Sequence, residues 1–100
     1  MMSPLEAHRA VTAELVAAIR DCATVEIDAE VAWLNGYLYS QATSSSGKEN
    51  DARAASSLQR REVIRQRGEV QAHLARERLA ALEVQAGLAA LQQFETGSAK

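Results

Sequence analysis

Proline occurs once and glycine five times in 100 residues, and aromatics make up 4%. A sandwich or barrel needs a turn signal every ~8 to 12 residues, so these counts exclude one. Cysteine is present once, as Cys22, which excludes an internal disulfide framework and suits a reducing cytosolic setting. Long apolar runs are missing too. Nothing approaches the ~20 residues that cross a bilayer, and Glu6 stands where a signal peptide would be basic. A soluble, cytoplasmic protein without a membrane partner is expected. His8 and His73 are far apart and have no Cys or His at ligand spacing, so neither metal nor cofactor is expected. No nucleophile elbow, phosphate loop or paired-carboxylate pattern occurs, and an enzyme is not expected.

What is present is a helix composition: 47% hydrophobic residues, much of this alanine, with Leu, Arg, Glu and Gln filling most of the second half. The length suits one domain, residues 1–95, built from three helices. Ser3-Pro4-Leu5-Glu6 is a start signal, because a Ser cap accepts from the N3 amide and Pro at N1 gives up only an orphan donor. From it a helix over 4–22 is expected, with Val11, Leu15, Ala18, Ile19 and Cys22 as its core stripe. The stripe changes phase near Thr24. A second helix over 25–42 follows, carrying Ile27, Val31, Leu34 and Leu38, with Thr24 or Asp21 as its cap and Glu26, Asp28 and Glu30 near its N-terminus. A kinked continuation of the first helix is the alternative.

Thr43 to Lys48, rich in serine with Gly47, reads as a loop. Ser46 and Glu49 repeat the capping-box spacing and open a long helix over 49–94, followed by a flexible tail over 96–100. Forty-five helical residues would reach ~65 to 70 Å, whereas a compact domain of this size has a radius of gyration near ~13 Å. Such a helix either breaks, with Gly68 and Gly87 as weak points, or is covered by another chain. The second outcome is the expectation. The fold class is therefore all-α: a shorter N-terminal pair packed on one long helix that self-associates through bundle or coiled-coil-like seams.

The near-neutral total of −2 hides a dipolar chain. Residues 1–51 carry eight acids and three bases, residues 52–78 carry seven arginines and three glutamates, and residues 79–100 are nearly balanced. Arg53, Arg60 and Arg67 recur every seven residues, with Arg61, Arg65 and Arg78 close by, while Glu62, Glu69 and Glu83 lie roughly opposite. Two apolar seams flank the arginine row. Val63, Val70, Leu74 and Leu88 form one; Ile64, Ala75, Leu79, Leu82, Ala86 and Ala89 form the other, and Leu91 adds to the apolar surface. Two seams imply two neighbours, since a helix on the outside of a bundle needs one stripe. The arginines have two readings: pairing with the acids of the first half, or contact with nucleic-acid phosphates. Trp33 and Tyr37, spaced i,i+4, are expected either to pack on the long helix or to anchor a partner or stack unpaired bases, and Gly36 beside them would permit close approach.

From Leu38 to Ala55 the chain carries an aromatic helix end at Tyr39, a turn holding Ser44, Ser45 and Ser46, and a helix opening on Lys48 and Arg53. This segment resembles the helix-loop-helix of small bacteriophage recombination mediators of the UvsY type, and the Ala- and Arg-rich style resembles accessory proteins of phages infecting high-GC hosts. The resemblance covers under a third of the chain. It implies an oligomer in the host cytoplasm that binds single-stranded DNA and loads a recombinase, with Arg53, Arg60, Arg61, Arg65 and Arg67 at the contact and Lys48 in a lesser role. The residues alone point first to a non-enzymatic homo-oligomeric interaction protein, its interface drawn from Trp33, Tyr37, Val63, Val70, Leu74, Leu79, Leu82, Leu88 and Leu91; single-stranded nucleic-acid binding by the arginine face is the second reading.

Overall fold

The computed structural model describes residues 2–43 and 47–98. Every regular element in them is helical: α1 spans Pro4–Thr43, α2 Lys48–Ala55 and α3 Ser57–Ser98. Helix α1 lies against α3 with contacting residues running in opposite directions, from Arg9 beside Glu83 to Glu26 beside Arg67. The result is a long flat hairpin of 84 × 25 × 12 Å with a radius of gyration of 23.2 Å, nearly double that of a compact domain of this length.

The expected division of the first half into two helices is corrected: α1 continues through Cys22–Val25. The Thr24 hydroxyl donates to the Arg20 carbonyl at 3.0 Å, one turn back, instead of capping a new helix. The start signal works as expected, with the Glu6 amide donating to Ser3 Oγ at 3.2 Å. At the second start Gly47 is the N-cap and supplies no side-chain bond; Ser46, expected to cap, lies outside the described residues, as do Ser44 and Ser45 of the loop. Residues 96–98, expected to belong to a tail, are helical. Helix α3 extends to Ser98, with the Thr96 hydroxyl bonded to the Gln92 carbonyl at 2.9 Å, and Ala99 and Lys100 lie outside the described residues.

The second half does break, though not at a glycine. Ser56 separates α2 from α3 at φ −94°, ψ 2°, the sparsely allowed bridge region, and its hydroxyl donates to the Arg53 carbonyl at 3.1 Å. The backbone ladder passes through it, with the Ser56 amide donating to the Ala52 carbonyl at 3.1 Å and the Arg60 amide to the Ser56 carbonyl at 3.0 Å. Both Gly68 and Gly87 lie inside α3. Gly68 is buried, and a Cβ added there would come within 3.3 Å of the Ala23 Cβ and 4.0 Å of Ile19 Cγ2. Its role is to let the two helices approach closely. No such neighbour lies within 4 Å of Gly36, so the approach expected beside the aromatics occurs elsewhere.

The core is thin. Val16, Ala72 and Ala75 are the buried apolar side chains among the described residues, and Ser57, at the start of α3, is buried as well. Val11, Leu15 and Cys22, expected as core, are instead exposed. The α1 face that meets α3 includes Val16, Ile19, Ala23, Ile27 and Glu30, a set that runs through the apparent phase change at steps of three and four. A helix in a two-helix pair presents only a narrow seam to its neighbour, and here small residues fill it.

Candidate interaction surfaces

Interhelical ion pairs set the direction and register of the hairpin. Near the start of α1 the bases belong to α1: Arg9 Nε lies 3.2 Å from Glu83 and Arg20 Nε 3.8 Å from Glu69. Farther along, the polarity reverses, with Arg67 Nη2 2.5 Å from Glu26 and Arg53 Nη2 3.3 Å from Glu30. Each exposed pair contributes ~0 to 1 kcal/mol. Together they oppose a reversed α1, which would set base against base and acid against acid.

A denser cluster occupies the α1–α2 joint. The Arg53 guanidinium carbon lies 3.9 Å from the Trp33 ring centroid, and Trp33 stacks on Tyr37 at 5.6 Å and 14°. The Tyr37 hydroxyl donates to Asp51 Oδ1 at 2.5 Å, and Gln41 Nε2 donates to the same oxygen at 3.1 Å. Donation to Asp51, reinforced by partial desolvation, raises the Tyr37 pKa above the usual phenol range. Behind the stack Glu30 is buried, and Glu30 Oε1, Arg53 Nε, Ser57 Oγ and Arg61 Nε are buried without a hydrogen-bond partner. Trp33 and Tyr37 are half-buried in this joint, so the aromatic pair serves the hairpin first.

The arginine row is divided among different tasks. Arg53 and Arg67 meet acids of α1, Arg65 pairs with Glu62 within α3, and Arg60 Nε donates to Ser56 Oγ at 3.3 Å. The Glu62–Arg65 contact lowers the Glu62 pKa, chiefly through the hydrogen bond and against a desolvation that acts the other way, and raises that of Arg65. Among the described residues Arg60, Arg61 and Arg78 make no ion pair. On one side of the helix pair, beside Arg67, an open groove of about 530 Å³ is lined by Leu15, Ala18, Ile19, Cys22, Ile64 and Gln71 among others.

The two seams of α3 separate cleanly. Ile64, Ala75 and Leu79 belong to the side that meets α1, and Leu79 lines a groove with Thr12, Ala13 and Val16, whereas Ala86 and Ala89 of the same expected seam are exposed. On the far side Val63, Val70, Leu74, Val84, Leu88 and Leu91 are exposed by 60, 58, 52, 62, 56 and 53%. With Glu77 and Ala81 they form a run whose steps are seven, then alternately four and three, the spacing of a coiled-coil seam. At 100° per residue this run lies roughly 160° around the helix from Ser57, Gly68, Ala72 and Ala75. Val84 is the member that sequence reasoning missed, although its spacing from Leu88 and Leu91 carries the signal.

Among the described residues no three His, Cys, Asp or Glu side chains gather as a metal site, and no helix is long and apolar enough to cross a membrane. Comparison with known family models, curated proteins and solved structures gives no match for this chain.

Proposed function

We propose that this protein is a non-enzymatic, self-associating helical hairpin that acts through protein contacts, with the far side of α3 as its contact surface. The observation that carries this reading is the coiled-coil run from Val63 to Leu91, in which six large apolar side chains are more than half exposed on the face opposite α1. The accessible area supports it. The chain exposes 7649 Å², whereas a compact monomer of its mass exposes about 5,500 Å². The excess of roughly 2,100 Å² exceeds the ~800 Å² that each partner contributes to an interface of standard size. A core of three small or medium apolar side chains also leaves helices of this length short of the packing that normally stabilises them.

Sedimentation equilibrium across the micromolar range tests the proposal. A mass at or above twice 10.8 kDa is expected for the native chain, falling to the monomer mass in Leu74→Glu/Leu88→Glu. A native monomer with a cooperative fold at every concentration would refute it.

The accessory-protein setting suggested by residues 38–55 fits a small oligomer of this kind. Nucleic-acid binding is a second reading, resting on the exposed Arg60 and Arg78, which make no ion pair among the described residues; the engagement of Arg53 and Arg67 with α1 and the burial of Arg61 Nε weigh against it. Titration with a single-stranded oligonucleotide at two salt concentrations separates the readings, because phosphate contacts weaken steeply with salt.

A further inference from the structure

We infer that two copies pair through the far side of α3 in an antiparallel arrangement, with a twofold axis passing at the level of residue 79. This rests on the self-association proposed above and adds its direction and register. The first argument is charge. Residues 63–78 carry Arg65, Arg67, Arg76 and Arg78 against Glu69 and Glu77, a net of +2, and residues 80–95 carry Glu83 and Glu95, a net of −2. Antiparallel pairing about residue 79 lays the +2 segment of each copy along the −2 segment of the other. A parallel pair in register sets like against like and brings Glu77 beside Glu77 of the second copy, in the middle of the apolar run. Such juxtaposition selects orientation in helical pairs.

The second argument is fit. In antiparallel coiled coils the two kinds of seam position face one another, which limits the axis to levels one half-heptad apart. With the axis at 79, Leu74 faces Val84 of the second copy, Val70 faces Leu88 and Glu77 faces Ala81, while at the solvated ends Val63 and Leu91 lie opposite Glu95 and Arg67, each relation occurring twice as an isologous interface requires. The small Ala81 leaves room for the Glu77 carboxylate to turn outward, where His73 Nε2 already lies 2.9 Å from it and the second copy's Arg78 falls within a turn. Moving the axis half a heptad toward the N-terminus would oppose Leu74 to Glu77; moving it as far toward the C-terminus would oppose Leu88 to Glu77. Both bury the carboxylate against a bulky side chain. The α1 helix lies on the opposite side of α3 and leaves this approach clear.

The test is a dipolar distance between spin labels on Gln93→Cys, in a Cys22→Ser background whose helicity and mass match the native chain. Both positions are exposed, and Gln93 is off the paired face. Fourteen residues on each side of the axis place the labels about 42 Å apart along it, and with about 25 Å across the pair a distance near ~49 Å is expected at concentrations where the dimer forms. A distance under about 25 Å, the width of two adjacent helices, would overturn the antiparallel direction while leaving self-association intact. Distances near ~40 or ~58 Å would keep the direction and overturn the register, since a half-heptad displacement of the axis changes the separation along it by about 10 Å. Absence of dipolar coupling together with a monomer mass would overturn self-association itself, and this inference with it.

Discussion

Gly68 and Gly87 sit in the same helix, yet alanine should affect them differently. Either substitution removes a helix-interior glycine, which is favourable by about 1 kcal/mol. At Gly87 nothing lies within 4 Å of the added Cβ, so Gly87→Ala should yield the full gain, a rise in melting temperature of about 4 to 8 °C for a chain of this size. At Gly68 the new methyl meets the Ala23 Cβ at 3.3 Å, and one helix must move by a few tenths of an ångström. Overpacking of this kind costs about 1 to 3 kcal/mol, so Gly68→Ala should be neutral or destabilising by up to about 2 kcal/mol. Ala23→Gly should relieve the contact, giving a favourable coupling in the cycle Ala23→Gly, Gly68→Ala and both. Urea and thermal unfolding followed by circular dichroism at one fixed protein concentration provide the assay. If Gly68→Ala stabilises as much as Gly87→Ala, with no coupling to position 23, the close approach of α1 and α3 at this level is wrong.

Arg53→Ala leaves Glu30 buried without its countercharge. Because Arg53 is itself about one-third exposed, at 37%, the loss should fall toward the lower end of the ~3 to 5 kcal/mol typical of a broken buried pair, and Glu30→Leu/Arg53→Met should recover most of it in urea melts. Tyr37 has a pKa raised in the folded state, so its contribution is complete below the unfolded phenol's value of ~10 and is lost as pH climbs through the folded one. In an alkaline absorbance titration Tyr37→Phe should remove a transition that lies above the usual phenol range. The opposite sign holds for Glu62: its lowered pKa gives a contribution present above the usual carboxylate range and lost as pH falls through the folded value. Carbon-detected NMR titration should place Glu62 below its value in Arg65→Ala.

The helical class and the far seam of α3 were legible because both depend on residue type and spacing. Val63, Val70, Leu74 and Leu88 are large, apolar and regularly placed, and their exposure follows from the opposite seam being taken by α1. The α1 face was harder to read. Apolarity ranks Val11, Leu15 and Cys22 above Thr12, Ala23 and Glu30, yet close helix approach favours small residues, and a buried carboxylate is tolerated where Arg53 reaches it. The same physics reverses the reading of Gly68, which costs intrinsic helix propensity and sits inside a continuous helix where α1 approaches closely. Ser56 carried no marker beyond ordinary serine chemistry. The Arg53–Trp33–Tyr37–Asp51 chain joins residues from two helices, and only the i,i+4 aromatic pair could be seen before their alignment was known.

The most direct measurement of a shared α3 seam is the thiol reactivity of Val84→Cys in the Cys22→Ser background, followed as protein concentration rises, with Ala90→Cys as the reference outside the paired face. Reactivity at position 84 should fall as copies associate while position 90 stays constant. Equal and concentration-independent labelling of both positions would contradict a seam covered by a second copy.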